Sequence, residues 1–234
     1  MSKVNSISFR SPQPIGRIPI LAVSPVVDEG RWPAKAFAGE VVPFSASVFR
    51  EGHDAVAAEV LLTSPSGVTT VHRMHPGAFG SDLWYTKALL AETGKYTFKI
   101  RAFGDDYETW HHNAEIKIKA GIDQELMLLE GVSLFTRAAS EAGRSAANAK
   151  LLTETAEALG KLDIPAGSRF ALAESAAVRK AVLDEPIRST VTLSRDFVIN
   201  SERKLAGVGA WYEFFPRSEG AVFDEKTKTW TSGN

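Results

Sequence analysis

The sequence predicts a β-sandwich of the immunoglobulin-like type, followed by a small all-α helical domain. Three observations predict this order. Apolar and polar residues alternate through the first half of the chain, turn residues separate the alternating runs, and the apolar period lengthens after Ala120-Gly121. Several short strands with one wettable face are typical of two packed antiparallel sheets. The predicted bounds are 15–120 for the sandwich and 121–206 for the helical domain.

Four segments alternate with a period of two: residues 41–50, 56–62, 95–102 and 110–119. The predicted inward side chains are Val42, Phe44, Ala46 and Val48, then Val56, Ala58, Val60 and Leu62, then Tyr96, Phe98, Ile100 and Ala102, and finally Trp110, His112, Ala114, Ile116 and Ile118. The turn at Thr93-Gly94 that leads into Tyr96 resembles the tyrosine corner of immunoglobulin-like folds.

The helical domain is predicted to begin with an amphipathic helix. Leu126, Leu129, Val132 and Phe135 form its predicted apolar stripe. A second helix is expected over about 145–159, ending at Gly160, and a third over about 168–183 with an alanine-rich face. A fourth begins near Pro186, with a break near 191–192 and a continuation over 196–205.

Composition excludes several classes of protein. The chain has 234 residues, 44% hydrophobic and 24% charged, with a formal net charge of −1, so no global field favours nucleic acid or an anionic membrane. Without cysteine there is no disulfide, thiolate or cysteine-ligated metal. No apolar run approaches the roughly 20 residues of a membrane helix. The polar segment 1–14, expected to be flexible, lacks the apolar core of a secretory signal, so we expect a cytoplasmic protein.

The last segment, 207–234, does not fit the helical domain. Residues 211–216 form an aromatic, strand-like run that needs sheet partners on both sides, and a polar tail follows over 224–234. Every earlier predicted strand is far upstream, beyond the helices. We therefore interpret this run as an orphan strand, the beginning of a further domain.

The run 211–218 resembles the first strand of the (β/α)₈ barrel in the α-amylase superfamily. The blocks 16–20, 23–27, 32–36, 48–58 and 114–128 resemble the N-terminal domain of α-1,4-glucan:maltose-1-phosphate maltosyltransferases. The resemblance extends in order over about 16–221 and is loose over 137–200.

The resemblance implies a chain in which a sandwich and a helical domain precede a catalytic barrel. It implies a retaining glycosyltransferase that moves maltosyl units from α-maltose 1-phosphate to the non-reducing end of an α-1,4-glucan and releases phosphate. One carboxylate attacks the anomeric carbon, and a second carboxyl group acts as acid and then as base. Neither group has a counterpart here, so we expect no catalytic residue and no activity in this chain alone. The family also implies a homodimer formed through this region, and no cofactor.

Three residues are candidates for substrate binding. The resemblance places Tyr212 and Arg217 near the substrate face of a barrel, although packing and strand termination compete with that role. Trp32 precedes Pro33 in a loop, where its ring could stack on a sugar. Glu213 is expected to form a structural ion pair rather than to act as a catalytic acid. Trp84 and Trp110 share the phase of inward residues, which favours roles in the core.

The histidines do not predict a metal site. His72 and His75 are three apart in a strand-rich segment and would face opposite sides of a sheet. For the adjacent pair His111 and His112 we expect one buried and one exposed ring. His53-Asp54 follows Glu51-Gly52 and is typical of a turn. The glycines of 77–80 lack the lysine and the helix start of a phosphate loop.

Three functions remain open on the sequence. The first is an accessory and dimerisation region of a maltosyltransferase. The alternative is a stand-alone glucan-binding module without catalysis, which the sandwich also permits. A short protein with a purely interactive role is the third, and the apolar strand near the C-terminus argues against it.

Overall fold

The computed structural model describes residues 16–78, 80–209, 213–215 and 217–233. Within these ranges the chain forms twelve strands and five α-helices. The strands are β1 Ile20–Ser24, β2 Ala34–Phe37, β3 Glu40–Val48, β4 Val56–Thr63, β5 Thr69–Arg73, β6 His75–Pro76, β7 Leu83–Leu90, β8 Gly94–Asp105, β9 Arg188–Leu193, β10 Phe197–Glu202, β11 Val222–Asp224 and β12 Thr229–Thr231. The helices are α1 Asp106–Lys119, α2 Gln124–Ala139, α3 Ala146–Leu159, α4 Ala166–Ala173 and α5 Ala176–Asp184.

Two sheets and one hairpin contain the described strands. The smaller sheet has the order β1-β3-β7-β6, and all its pairs are antiparallel. The larger sheet has the order β2-β10-β8-β4-β5, and β9 pairs with β8 further along the same strand. This sheet is mixed, because β10 is parallel to β2 and antiparallel to β8. The β11–β12 pair forms a separate hairpin.

The two sheets share one hydrophobic core. The rings of Phe44 in β3 and Phe98 in β8 meet edge to face, with their centroids 5.0 Å apart. The inward faces predicted for 41–50, 56–62 and 95–102 are confirmed, since these side chains belong to the core or pack against it. The hydroxyl of Tyr96 accepts a hydrogen bond from the backbone N–H of Glu92 at 2.9 Å, as in a tyrosine corner. The immunoglobulin-like type itself stays a prediction.

The strand predicted over 110–119 is wrong, because this segment is the helix α1. Asp105 caps the helix by accepting a hydrogen bond from the N–H of Glu108 at 3.2 Å. Trp110, Ala114 and Ile118 are all buried. Residues four apart share a face both in a strand and in a helix, so these side chains satisfied the period of two by coincidence.

The predicted apolar stripe of the first helix is also wrong in part. Leu126 and Leu129 are 50% and 65% exposed on α2, whereas Phe135 is fully buried. The buried face consists of Met127, Leu128, Gly131, Leu134, Phe135 and Ala138, which follow the alternating three-and-four spacing of a helix. A strict spacing of three drifts around the helix, so Leu126 and Leu129 miss the core, Val132 packs against it while partly exposed, and Phe135 lies inside it.

The α1–α2 crossing depends on a residue without a side chain. A Cβ atom at Gly131 would lie 2.5 Å from Cζ2 of Trp110 and 2.9 Å from Cδ1 of Leu159. Glycine therefore lets the helix backbone approach the indole ring. Trp110 is 6% exposed, and its indole N–H donates to the carbonyl oxygen of Met127 at 2.8 Å.

The remaining helix predictions have mixed outcomes. The second predicted helix is confirmed as α3, which is capped by Ser145 and ends before Gly160. The third is two helices, α4 and α5. A serine, Ser175, starts α5 by accepting a hydrogen bond from the N–H of Val178 at 3.4 Å.

The fourth predicted helix is wrong. After Pro186 the chain forms β9 and β10, which return to the larger sheet. Phe197, Ile199 and Ser201 are buried at alternate positions, the period of a strand. The five helices therefore lie between β8 and β9 in sequence, and both neighbouring strands belong to one sheet.

The predicted barrel strand falls partly outside the described residues, which omit Trp211, Tyr212 and Pro216. The described part, 213–215, is exposed and belongs to no strand. The segment predicted as a polar tail, 224–234, includes the last residue of β11 and all of β12, which pair as a hairpin.

Candidate functional site

The structure does not assemble the predicted substrate-binding residues into one site. Trp32 is 59% exposed before β2, with the guanidinium of Arg31 5.7 Å from its ring centroid. Arg217 is exposed in the turn before β11, and its carbonyl oxygen accepts from the N–H of Gly233 at 3.0 Å. Tyr212 lies outside the described residues. Within the part of the chain that the structure describes, no hydrogen bond or ion pair joins Trp32 to Arg217.

The core roles of two tryptophans are confirmed. Trp84 packs against the core between the sheets, and its indole N–H donates to the carbonyl oxygen of Val48 at 3.1 Å. Trp110 occupies the core of the helices, with its ring 5.4 Å from that of Phe135. The Trp110 ring is buried and therefore not free to stack on a sugar, whereas Trp84 is partly buried.

The histidines lie in separate environments. Nε2 of His72 lies 2.9 Å from the hydroxyl oxygen of Thr70, and both residues are on β5. Burial lowers the pKa of the His72 imidazole. His75 lies on β6 of the other sheet, with its ring 6.5 Å from that of Tyr85. Within the described ranges, no group of three or more His, Asp or Glu side chains could hold a metal ion.

One of the two adjacent histidines is buried and the other is exposed, as expected, although on a helix. The predicted inward residue, His112, is the exposed one, and His111 is buried. The ring of His111 lies between those of Tyr107 and Phe170, at centroid distances of 5.6 Å and 5.5 Å, and its Nε2 is 2.8 Å from Glu174 Oε1. Asp54 pairs with Arg50 at 2.9 Å, which agrees with a role of His53-Asp54 in the turn.

A buried carboxylate surrounded by arginines is the main charged cluster on the larger sheet. The side chain of Glu59 is 3% exposed. Its oxygens accept from Nε and Nη2 of Arg101 at 2.8 Å and 2.6 Å, and from Nη2 of Arg188 at 3.1 Å and 3.2 Å. Arg73 Nη1 lies 3.8 Å away. The cluster ties β4, β5, β8 and β9 together.

The same arginines cover an aromatic ring. The guanidinium carbons of Arg73 and Arg188 lie 5.1 Å and 5.0 Å from the ring centroid of Phe103, which is fully buried. Nη2 of Arg73 also lies 2.7 Å from Oδ2 of Asp105, and Asp105 is the residue that caps α1. Sequence reasoning missed this cluster. Its available signal was an acid flanked by basic residues at outward positions of neighbouring strands.

The outer face of the smaller sheet, which we call the apolar face, has a different character. It is formed by the outward residues of β1, β3 and β7, and its large apolar members are Leu21, Val41, Leu83, Tyr85 and Leu89. These side chains are 41% to 57% exposed. Val41 lies directly opposite Leu89, and Leu83 opposite Ser47, so the members are neighbours.

The apolar face carries little charge for its size. At the described outward positions of these strands the charged side chain is Lys87, and none is acidic. With strands about 4.8 Å apart and a rise of about 3.3 Å per residue, the whole smaller sheet projects over roughly 15 Å by 30 Å, which includes the polar positions Ser45, Ser47 and Lys87. That area of about 450 Å² lies within the range of about 300–600 Å² for the largest patch on a typical monomer, and such patches are often functional.

The comparisons with known proteins identify a family. The sequence model described as "Alpha-1,4-glucan:maltose-1-phosphate maltosyltransferase, domain N/S" matches residues 16–203. The matched region thus corresponds to the N/S domain of such enzymes, and it includes both sheets and all five described helices. By this match the chain belongs to the α-1,4-glucan:maltose-1-phosphate maltosyltransferase family.

Curated relatives carry the same family name. The chain is 43% identical over 221 residues to maltosyltransferase 1 of Streptomyces coelicolor, which covers 92% of this chain and 32% of the relative. It is 36% identical to the enzyme of Arcanobacterium haemolyticum, over 94% of this chain and 32% of the relative. The Mycobacterium tuberculosis enzyme is 35% identical, over 90% and 33%. The chain spans about a third of the length of these relatives.

The helices were also compared with the length and hydropathy of a membrane span. None of those in the described part of the chain meets both requirements.

Proposed function

We propose that this chain is the accessory and dimerisation region of a maltosyltransferase. The match of the N/S domain over 16–203 supports the family, and the apolar face supports the role in association. In the parent enzyme, an immunoglobulin-like sandwich and the helices would precede the catalytic barrel. The parent enzyme, in the cytoplasm, would transfer maltosyl units from α-maltose 1-phosphate to the non-reducing end of an α-1,4-glucan and release phosphate.

The occupant proposed for the apolar face is a second copy of the chain. A face without acidic side chains and with the one charge of Lys87 offers little to a charged partner, whereas an identical apolar face is complementary to it. A twofold arrangement closes after two copies, because the same patch serves both subunits. The projected face supplies roughly half of the ~800 Å² per partner that a standard interface buries, and its rim would supply the rest.

Two valines provide a matched test of this surface. Val41 lies on the apolar face and is 52% exposed, and Val71 lies on β5 of the larger sheet and is 53% exposed. Val41→Glu places a carboxylate in the proposed interface, so we expect a monomeric mass by light scattering where the parent chain is dimeric. Val71→Glu should leave the dimer intact. A monomeric parent chain at high concentration, or equal effects of both substitutions, would contradict the proposed interface.

Catalysis is proposed to reside in parts of the parent enzyme that have no counterpart in this sequence. The resemblance requires two carboxyl groups, one to form the maltosyl-enzyme and one to serve as acid and base. Glu213, the acid of the aromatic run, is exposed and has no ion pair described. We therefore expect no release of phosphate from α-maltose 1-phosphate by the 234-residue chain. Release above that of a heat-denatured control would refute this part of the proposal.

A further inference from the structure

The C-terminal hairpin presents an aromatic pair to solvent. Phe223 on β11 lies directly opposite Trp230 on β12, so both side chains project from the same face of the hairpin. Their ring centroids are 5.1 Å apart, and the ring planes are inclined by 48°. Trp230 is 71% exposed and Phe223 is 38% exposed. The pair forms a bent apolar surface.

Local hydrogen bonds hold the hairpin in this shape. Oδ1 of Asp224 accepts from the N–H of Lys226 at 2.8 Å and of Thr227 at 3.3 Å, and these bonds lower the pKa of the carboxyl. The hydroxyls of Thr227 and Thr229 are 2.7 Å apart. The surface is therefore organised before anything binds to it.

The hairpin does not bury this pair against the sheets or helices. Every described residue over 213–232 is exposed except Ala221, which is partly buried. A two-stranded hairpin is marginally stable alone, and the contact between the two opposed rings helps to hold its strands together. That contact still leaves most of the Trp230 indole in water, where a flat ligand can stack on it.

The position of the hairpin in the chain indicates which ligand. It directly follows the run 211–218, which resembles the first strand of a catalytic barrel. In (β/α)₈ barrels the segments that follow the strands form the face where substrates bind. This step depends on the proposed function, which makes α-1,4-glucan the acceptor substrate.

We propose that Phe223 and Trp230 form a stacking surface for two successive glucose units of an α-1,4-glucan. The apolar C–H faces of pyranose rings pack on flat aromatic rings, and in α-1,4-glucans successive rings are inclined to each other, so the chain curves. Two aromatic rings inclined by 48° match a curved chain better than the flat ribbon of a β-1,4-glucan. The hydroxyls of Thr227 and Thr229 and the amines of Lys226 and Lys228 lie nearby in the chain, where they can meet sugar hydroxyls.

The test uses the 234-residue chain and follows the indole N–H signals of its five tryptophans by NMR. Maltoheptaose should shift the Trp230 signal saturably, with a Kd on the order of millimolar. Cellohexaose, a β-1,4-glucan, should bind at least about tenfold more weakly. Phe223→Ala should weaken binding about three- to tenfold, as loss of one aromatic partner does. Phe49→Ala removes a ring that is likewise 38% exposed but lies outside the hairpin, and this matched control should leave the Trp230 response unchanged.

The Trp230→Ala chain lacks the reporting indole, so its binding is measured by isothermal titration calorimetry. It should lose maltoheptaose binding while its thermal midpoint stays that of the parent, since the side chain is mostly exposed. An unchanged Trp230 signal at saturating maltoheptaose would overturn the proposal, and so would equal responses to the two sugars. A shift confined to the Trp32 indole signal would also overturn it and would indicate that glucan binds at Trp32. Failure here is separate from failure of the dimerisation role, because the monomeric Val41→Glu chain keeps the hairpin and should still respond.

Discussion

Arg188 Nη2 donates to both carboxylate oxygens of Glu59, at 3.1 Å and 3.2 Å, across 129 positions of sequence. Glu59 is on β4, before the helices, and Arg188 begins β9, after them. The pair therefore fixes both ends of the helical segment to one sheet. Asp105, which caps α1, joins the same cluster through Arg73 at 2.7 Å.

The buried carboxylate should contribute strongly to stability. Glu59→Gln keeps the side-chain volume and removes the charge, which leaves the guanidiniums of Arg101 and Arg188 close together without their shared anion. Loss of one partner from a buried ion pair costs about 3 kcal/mol of the free energy of unfolding, measured by urea denaturation. Asp196→Asn, which breaks an exposed pair with Lys99 on the same sheet, should cost less than about 1 kcal/mol. Similar losses in the two variants would show that the cluster is not a stabilising centre.

Gly131→Ala should destabilise the helices. The added methyl group would meet the indole of Trp110 at 2.5 Å, and relief of that overlap requires the α1–α2 crossing to open. We expect a loss of about 1 to 3 kcal/mol in the free energy of unfolding. Gly167→Ala is the matched control on α4, where nothing lies within 4 Å of the new atom. That variant should be neutral or gain up to about 1 kcal/mol from helix propensity, and a loss equal to that of Gly131→Ala would exclude a steric cause.

Tyr107 should make stability depend on alkaline pH. Its hydroxyl donates to the carbonyl oxygen of Ala173 at 3.1 Å, and burial raises its pKa to about 12. In the unfolded chain the phenol loses its proton near pH 10, so from about pH 10 to 12 the folded state retains a proton that the unfolded state has lost. The stabilising contribution is therefore complete below about pH 10 and is lost as pH rises through about 12.

Chemical denaturation at about pH 9 and about pH 11 measures this effect. In the parent chain, the free energy of unfolding should be lower at about pH 11 than at about pH 9. Tyr107→Phe should show a smaller decrease, because its ring has no proton to lose. The same decrease in both chains would assign the dependence to other groups.

Tyr96→Phe should weaken the corner of the larger sheet. The hydroxyl is the acceptor for the N–H of Glu92 at 2.9 Å, and its removal leaves that donor without a partner. The expected loss is about 1 to 2 kcal/mol in the free energy of unfolding. Tyr85→Phe, at a side chain that is 50% exposed on the apolar face, should have little effect. A larger loss at Tyr85 would contradict the role of the corner.

Alternation of apolar and polar residues correctly predicted which side chains are buried in strands that have one face in the core. Val42, Phe44, Ala46 and Val48 are buried as expected, because each strand alternates strictly and one side must leave water. The same rule failed over 110–119, where the buried residues Trp110, Ala114 and Ile118 fit a helix equally well. The cap supplied by Asp105 is a local feature that favours the helix.

The candidate surfaces were less predictable. The outward residues Ser45 and Ser47 of β3 are polar, but the face gains its apolar character from Leu21 and Leu89 on the neighbouring strands. Register between strands is a long-range property, so alternation within one strand does not reveal it. The pairing of Phe223 with Trp230 likewise became visible only with the hairpin register.

The sequence by itself determined the family, the inward faces of the regular strands and the helix capped by Ser145, since these depend on residue identity and short spacings. Only the tertiary structure decided that the segment after Pro186 returns as β9 and β10 to the sheet of β8. The physical reason is that these two strands are held in place by residues far from them in the sequence. Arg188 finds its anion in Glu59, and Phe197 finds its partner ring in Phe98, with the centroids 5.4 Å apart. Neither contact leaves a local pattern in the chain.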